Sequence, residues 1–246
     1  MTFSKDFINW TEPQWLVYYR DDGRDGMDLE NLYTNEIKPY KRAPHIYLGF
    51  PAQFNGSVEP MLISSRDGLH FYRWMEHAVI SKSAPADRDK IRSNHLWQEM
   101  VELPNEPTNY SMYASENLAI KGAHQDGSFP RVRRFTIRKD GFVSIRAQTK
   151  PGELITKPLI FIGDNLTVNY DSQLGNAGSI RVEILDAQRH PIPGFTIQES
   201  TPLSTDEIDA TVTWKSGSDL SALAGTPIHL RFVLHHTDLF SFRFTK

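Results

Sequence analysis

Cysteine is absent from all 246 residues, which excludes disulfides, thiolate metal sites and cysteine nucleophiles. Basic residues are not in excess either: 27 Lys and Arg against 30 Asp and Glu give a net charge of −3, whereas nucleic-acid binding favours a basic patch. Apolar runs are all shorter than the roughly 18 residues of a membrane-spanning helix. Zinc spacings, P-loops and dinucleotide fingerprints are also missing. The sequence therefore predicts no nucleic-acid partner, no membrane partner, no metal and no cofactor.

One seven-residue pattern occurs twice in the first third of the chain. Ser4–Trp10 reads Ser, base, Asp, two spacers, polar residue, aromatic, and Ser65–Phe71 repeats it 61 residues later. Arg138–Phe142 is a weaker third copy. Repeats at such intervals are typical of arrays of supersecondary units such as propeller blades. Because Asp and Gly favour tight turns, the pattern predicts architecture rather than a catalytic site.

The first copy of this pattern starts at residue 4, which predicts that the chain begins in the middle of a propeller. Blades preceding Met1, or a homo-oligomer, would then cover the open propeller face, since exposed apolar faces of that size need a partner. The segment Met1–Asp6 lacks the apolar core of a secretory signal. The compartment stays open, and the chain as it stands is expected in the cytoplasm.

Strand signals dominate the chain and predict an all-β protein. Residues 1–142 contain short aromatic or β-branched segments between long loops, with one or two helical turns over 86–99. From residue 143 the strands recur about every 8–12 residues, which is typical of a β-sandwich. Ile180–Leu185 alternates apolar and charged residues, as in a sheet with one solvated face. Predicted strands are 45–50, 60–64, 110–114, 134–138, 142–147, 159–162, 166–170, 179–186, 211–214, 228–234 and 239–244.

Several segments carry a family resemblance. They are Tyr33–Asn35, Arg42–Pro51, Arg134–Phe142, Gly152–Leu159, Gly178–Asp186, Pro191–Phe195, Trp214–Gly225 and Leu230–Leu234. With these segments the chain resembles bacterial proteins of the glycoside hydrolase family 32 domain type. The resemblance implies blades of a five-bladed β-propeller over 1–142, truncated at the N-terminus, followed by a jelly-roll-like β-sandwich over 143–246.

The same resemblance implies a carbohydrate ligand. Glycosidases of this propeller clan hydrolyse poly- or oligosaccharides with paired carboxylates, and part of that site would precede Met1. The clan's general acid lies in a Glu-(Ala/Gly/Cys)-Pro stretch, where this chain has Arg42-Ala43-Pro44. Arginine cannot donate a proton at useful rates. Enzymatic activity therefore stays open, and the alternative is a non-catalytic carbohydrate-binding or structural module, or a pseudo-enzyme fragment.

Two carboxylates are candidate catalytic groups. Glu116 ends a predicted inner strand, and Glu36 lies six residues before Arg42, where it could act as a displaced acid or pair with that arginine. Trp74 and Trp97 supply aromatic faces for sugar rings or for core packing. Candidate substrate-binding residues are Arg42, His45, Tyr33, Asn35 and Tyr113.

Overall fold

A computed structural model describes residues 1–20, 32–54, 58–75, 77–81, 94–97, 99–116, 131–172 and 177–246. The chain is all-β, with 51% strand and 2% helix, and none of the sheets formed by these residues is closed. It divides into two compact units, Met1–Thr136 and Ile137–Lys246. Within the described ranges, no helix has the length and apolar character needed to cross a membrane.

The strands that begin in the first unit are β1 Val17–Arg20, β2 Lys38–Tyr40, β3 Ala43–Gly49, β4 Ala52–Phe54, β5 Val58–Pro60, β6 Ile63–Ser65, β7 His70–Arg73, β8 Asn94–Leu96, β9 Val101–Glu102, β10 Asn109–Glu116 and β11 Arg131–Arg138. They form a five-stranded sheet in the order β1-β7-β6-β3-β2, a four-stranded sheet of β11, β10, β8 and β9, and the pair β4-β5. The β1–β7 pair is parallel.

Close packing beside β3 fixes the segment that precedes β2. Gly49 ends β3, and a Cβ atom there would lie 2.8 Å from the Ile37 Cγ1 atom and 3.0 Å from the Asn35 carbonyl oxygen. Real Cβ atoms do not approach other atoms so closely, so only glycine lets residues 35–37 approach the strand. Glu36 lies in the middle of this segment.

The repeated pattern folds as the predicted tight turn. At the second copy, the Ser65 hydroxyl oxygen accepts hydrogen bonds from the backbone N–H groups of Asp67 and Gly68, at 3.2 and 2.9 Å. The Asp67 Oδ1 atom accepts from those of Leu69 and His70, at 2.9 and 2.8 Å. These local bonds join β6 to β7, so the turn prediction is confirmed at this copy.

The first copy has the same hydrogen bonds. The Ser4 hydroxyl oxygen accepts from the backbone of Asp6 and Phe7, and the Asp6 Oδ1 atom accepts from the backbone of Ile8 and Asn9. The fourth position of the pattern has positive φ in both copies, 61° in the first and 74° in the second. The third copy differs, because there an N–H to C=O bond spans Arg138–Gly141.

The second unit contains two antiparallel sheets, β12-β18-β14-β16 and β13-β17-β15. One cluster of buried residues draws on both sheets, including Val168, Val182 and Phe232, and the Trp214 indole N–H donates to the Val182 carbonyl at 2.9 Å. The two sheets therefore share a single hydrophobic core. The strands are β12 Ile145–Ala147, β13 Gly152–Ile155, β14 Asn165–Ser172, β15 Ser179–Leu185, β16 Asp206–Thr211, β17 His229–His235 and β18 Thr237–Thr245.

Four local predictions differ from the structure. Residues 60–64 do not form one strand, because β5 ends at Pro60 and β6 begins at Ile63. Residues 94–96 of the predicted helix form β8, which pairs with β10, while 82–93 lie outside the described residues. Residues 159–162 do not form a strand: Leu159 makes an isolated bridge to Ile228. Trp214 likewise makes isolated bridges, and the strand predicted near it is β16, further upstream. Leu159 hydrogen-bonds the backbone of the distant Ile228, whereas Trp214 exchanges backbone hydrogen bonds with Gly217, three residues along the chain, and bridges to Ser200.

Candidate functional site

Glu36 has a rare backbone conformation directly before β2. Its φ is 45°, in the left-handed region that side chains other than glycine and asparagine rarely adopt. The Asn35 side-chain oxygen accepts a hydrogen bond from the Ile37 N–H at 3.3 Å, which closes a small turn around Glu36. Such strained residues persist where the surroundings hold them, and they cluster at functional sites.

The carboxyl group of Glu36 is partly buried and holds a proton near neutral pH. Its Oε2 atom is buried and has no hydrogen-bond partner among the described residues. Burial raises the pKa of Glu36 to about 7, although the positive charge of Lys38 acts in the opposite direction. Burial penalises the charged form of a carboxyl group, so this group titrates in the range where proton transfer is useful.

A cleft of about 90 Å³ adjoins this carboxyl group. Two polar pairs lie in its wall: an ion pair between Lys38 and Glu99, and a buried contact of 3.1 Å between the hydroxyl oxygens of Tyr40 and Tyr110. The cleft thus combines an acid that titrates near pH 7, a second carboxylate, two phenols and several apolar side chains. Its lining residues are Glu36, Lys38, Pro39, Tyr40, Lys41, Leu48, Phe50, Glu99, Met100 and Tyr110.

Glu116, the other candidate catalytic carboxylate, has a different environment. It is fully buried at the end of β10. The Arg131 Nε atom donates a hydrogen bond to its Oε2 atom at 2.5 Å, and the Arg133 Nε atom forms an ion pair with its Oε1 atom at 2.9 Å. Two arginines of β11 therefore hold this carboxylate, an arrangement typical of a structural ion pair.

In the part of the chain that the structure describes, the remaining sequence candidates do not line the cleft. Arg42 is in the turn between β2 and β3, and His45 is exposed on β3. Tyr33 is exposed and meets Phe54 edge to face, with ring centroids 5.7 Å apart. Of the seven candidates, Glu36 lines the cleft, while Arg42, His45, Tyr33, Asn35, Tyr113 and Glu116 are not among the described residues that do so.

The sequence interpretation missed Lys38, Tyr40, Glu99 and Tyr110. Local pattern carries no signal for them, because Lys38 and Glu99 are 61 residues apart and the two tyrosines are 70 apart. It also missed a row of stacked rings on β1 and β7, formed by His70, Tyr19, Tyr72 and Trp74. The alternation of aromatic residues at 70, 72 and 74 was the available signal, since alternate residues of a strand share a face.

Among the described ranges, no group of three or more His, Asp or Glu side chains is arranged to hold a metal ion. Comparisons with protein-family models, with curated proteins and with solved structures found no match to this chain. The chemistry of the cleft is therefore the basis for a functional proposal.

Proposed function

We propose that the chain is a carbohydrate-active protein of the glycoside hydrolase type, with Glu36 as the proton donor. The observation that carries the proposal is the partly buried Glu36 carboxyl group, with a pKa of about 7, beside an open cleft. A glycosidase needs one carboxyl group that is protonated at working pH to protonate the leaving oxygen. In this proposal the first unit consists of propeller blades and the second is a β-sandwich, as the family resemblance implies.

Glu99 is the proposed second carboxylate. It lines the same cleft and forms an ion pair with Lys38. Two carboxyl groups in different environments can divide the roles of acid and base or nucleophile. Glu116 is less suited to either role, because it is buried between two arginines.

The test is substitution of Glu36 by glutamine, with release of reducing ends from a panel of neutral and acidic oligosaccharides as the measurement. E36Q keeps the shape of the side chain but cannot donate a proton, so we expect turnover to fall by about 10²- to 10⁴-fold. The exposed Glu12 provides the control E12Q, for which we expect wild-type turnover. Wild-type activity should decline as the pH rises through about 7, because Glu36 then loses its proton.

A stability measurement separates this role from misfolding. Folded Glu36 keeps its proton up to about pH 7, whereas unfolded glutamate loses it near pH 4.3. The native state thus binds more protons in this range, so its stability falls as the pH rises from about 4 to about 7. E36Q should therefore match the wild type at pH 4 and be more stable at pH 8. Equal turnover of E36Q and wild type would rule out the hydrolase mechanism.

A second candidate function is carbohydrate binding without cleavage. Glu99 is held in an ion pair with Lys38, and Glu116 in a pair with two arginines, which favours this alternative. E99Q discriminates between the two functions. Under the hydrolase proposal, the wild type cleaves a glycan and E99Q does so more slowly. A binding module binds the glycan as the wild type and as E99Q, and cleaves it in neither case.

A further inference from the structure

Two exposed tryptophans of the first unit are anchored in the same way. Trp74 directly follows β7, and its indole N–H donates a hydrogen bond to the Ser64 hydroxyl at 2.6 Å. Trp97 directly follows β8, and its indole N–H donates to the Ser115 hydroxyl at 2.9 Å. A hydrogen bond at the ring edge fixes the orientation of each indole, yet 43% of Trp74 and 51% of Trp97 remain exposed.

The strand register places the first indole on a defined sheet face. Ser64 of β6 pairs with Tyr72 of β7, and Trp74 lies two residues further on, so all three side chains share one face. The rings of Tyr72 and Trp74 stack with centroids 5.7 Å apart and an interplanar angle of 25°. Because Tyr72 packs on one side of the indole, the other side is the surface left for a ligand.

The second indole repeats this arrangement on another sheet. Ser115 of β10 pairs with His95 of β8, and Trp97 again lies two residues beyond the paired ring. Tyr113 packs nearby, with ring centroids 6.3 Å apart and an angle of 37°. The same arrangement thus occurs on two sheets: an indole at the end of a strand is hydrogen-bonded to a serine on the neighbouring strand.

The face around Trp74 is aromatic and hydroxyl-bearing. Stacking continues from Tyr72 to Tyr19 and on to His70, with centroids 5.1 and 6.1 Å apart. Arg20 and Arg73 pair with each other one residue beyond Tyr19 and Tyr72, so the strand alternation places these guanidinium groups on the opposite face. The face therefore offers flat rings and polar groups, together with the negative charge of Asp67, whose carboxylate lies 2.7 Å from the His70 Nδ1 atom.

We propose that the Trp74 and Trp97 indoles are two stacking positions for the sugar rings of an uncharged oligo- or polysaccharide. This inference rests on the proposed carbohydrate function and names the class of its ligand. One face of a sugar ring presents C–H groups with slight positive charge, and the face of an indole is negative, so the two attract while the ring also buries apolar area. An acidic glycan is disfavoured at the Trp74 face by the Asp67 carboxylate. On the Trp97 face, the Arg134 guanidinium beside Ser111 is already paired with Glu106.

Oxidative footprinting of the wild-type chain tests the proposal without any substitution. N-bromosuccinimide oxidises accessible indoles, and peptide mass spectrometry measures the rate at each of the five tryptophans. With a bound neutral polysaccharide from a panel of glucans, fructans, galactans, xylans and mannans, we expect Trp74 and Trp97 to be protected. Trp15, which is 93% exposed, should oxidise at an unchanged rate, and the buried Trp214 should stay slow throughout.

Substitutions give the second measurement. We expect W74A and W97A each to weaken retention in affinity electrophoresis on that polysaccharide by about tenfold or more, as for other aromatic anchors. W74F and W97F should retain part of the affinity because a ring remains. W15A is the matched control, since it removes an exposed indole outside the proposed positions and should bind like the wild type.

The outcomes distinguish this inference from the proposed function. If a neutral glycan binds or is cleaved but protects neither Trp74 nor Trp97, the stacking positions are refuted while the function stands. If acidic glycans alone bind, the ligand class is wrong. If no glycan in the panel binds or is cleaved, both the proposed function and the inference are overturned.

Discussion

The Arg138 side chain makes several hydrogen bonds and one aromatic contact within the second unit. Its guanidinium group donates four hydrogen bonds within the second unit, and its charge also lies 4.9 Å from the centre of the Phe240 ring. The acceptors are Asn169 Oδ1, Asp206 Oδ1 and the carbonyl oxygens of Tyr170 and Glu207, at 2.6 to 3.0 Å. Because its N–H groups are hydrogen-bonded and its charge lies over an aromatic ring, the guanidinium group has a structural role rather than a role in ligand binding.

We expect R138M to lower the free energy of unfolding by about 2–4 kcal/mol. The methionine preserves most of the side-chain volume but leaves several acceptors without their donor, which is costlier than losing one exposed ion pair. Urea denaturation followed by circular dichroism measures the difference. The exposed Lys157 provides the control K157M, expected within about 0.5 kcal/mol of the wild type. Equal effects of both substitutions would contradict the anchoring role.

Glu183 illustrates a polar residue whose environment the sequence did not reveal. Its place in the alternating Ile180–Leu185 segment predicts a solvated position, yet the residue is buried. Arg231 of β17 donates to the Glu183 Oε2 atom at 2.7 Å and also binds Glu153 of β13. Arg231 links β17 to the strand on each side of it and so covers this part of the sheet face. A period-two sequence pattern carries no signal for such cross-strand pairs.

At the scale of elements, the two copies of the repeated turn differ in what they connect. The Ser65 turn joins β6 to β7, and its last residue, Phe71, is 1% exposed. The Ser4 turn closes only an isolated bridge from Ser4 to Trp10. Phe7, within it, is 84% exposed. The same local hydrogen bonds therefore support a packed hairpin in one case and a surface turn in the other.

We expect D67A to lower the free energy of unfolding by about 1 kcal/mol, and D6A by less. Asp67 accepts two backbone hydrogen bonds, as a capping residue does, and its loss frees the ends of two paired strands. Urea denaturation of both variants measures this difference. The matched pair is informative because both substitutions remove the equivalent two backbone hydrogen bonds, together with a side-chain partner, Asn9 or His70. An equal loss would show that the flanking strands add nothing.

The contribution of Asp67 also depends on pH. Hydrogen bonds from the backbone of His70 and Leu69, and the His70 side chain, lower the pKa of Asp67 below its ordinary value. For a lowered carboxyl pKa, the stabilisation is complete above the unfolded value, near pH 4, and is lost as the pH falls toward the folded value. The difference between wild type and D67A should therefore shrink when unfolding is measured at progressively lower pH below 4.

For the whole molecule, the positions of strands can be predicted from the sequence more readily than the strands with which they pair. The apolar patterns at 166–170 and 228–234 coincide with parts of β14 and β17, because alternation and β-branched residues suffice where a strand packs on a shared core. The charged residues before the interval 94–96 predict a helix there. Its pairing with β10, which determines the strand, involves residues far away in sequence.

The candidate site was predictable only in part, for a similar reason. Glu36 could be named as a carboxylate near Arg42, but the sequence does not show that it is partly buried, that Gly49 permits its approach to β3, or that Glu99 lies in the same cleft. From the sequence alone Glu116 is the better candidate of the two, but the structure shows two arginines of β11 beside it. Burial and ion pairing arise from the tertiary fold, and they separate the two acids.

The repeated turn has a consequence for the kinetics of folding. Its hydrogen bonds span two or three residues and form whether or not strands follow, so closing it costs little loop entropy. We expect the Ser65 turn to form before the long-range pairs of its sheet. Stopped-flow refolding of D67A should then show that most of its lost stability appears as slower folding, with unfolding nearly unchanged. A change confined to the unfolding rate would mean that the turn forms only after the transition state of folding.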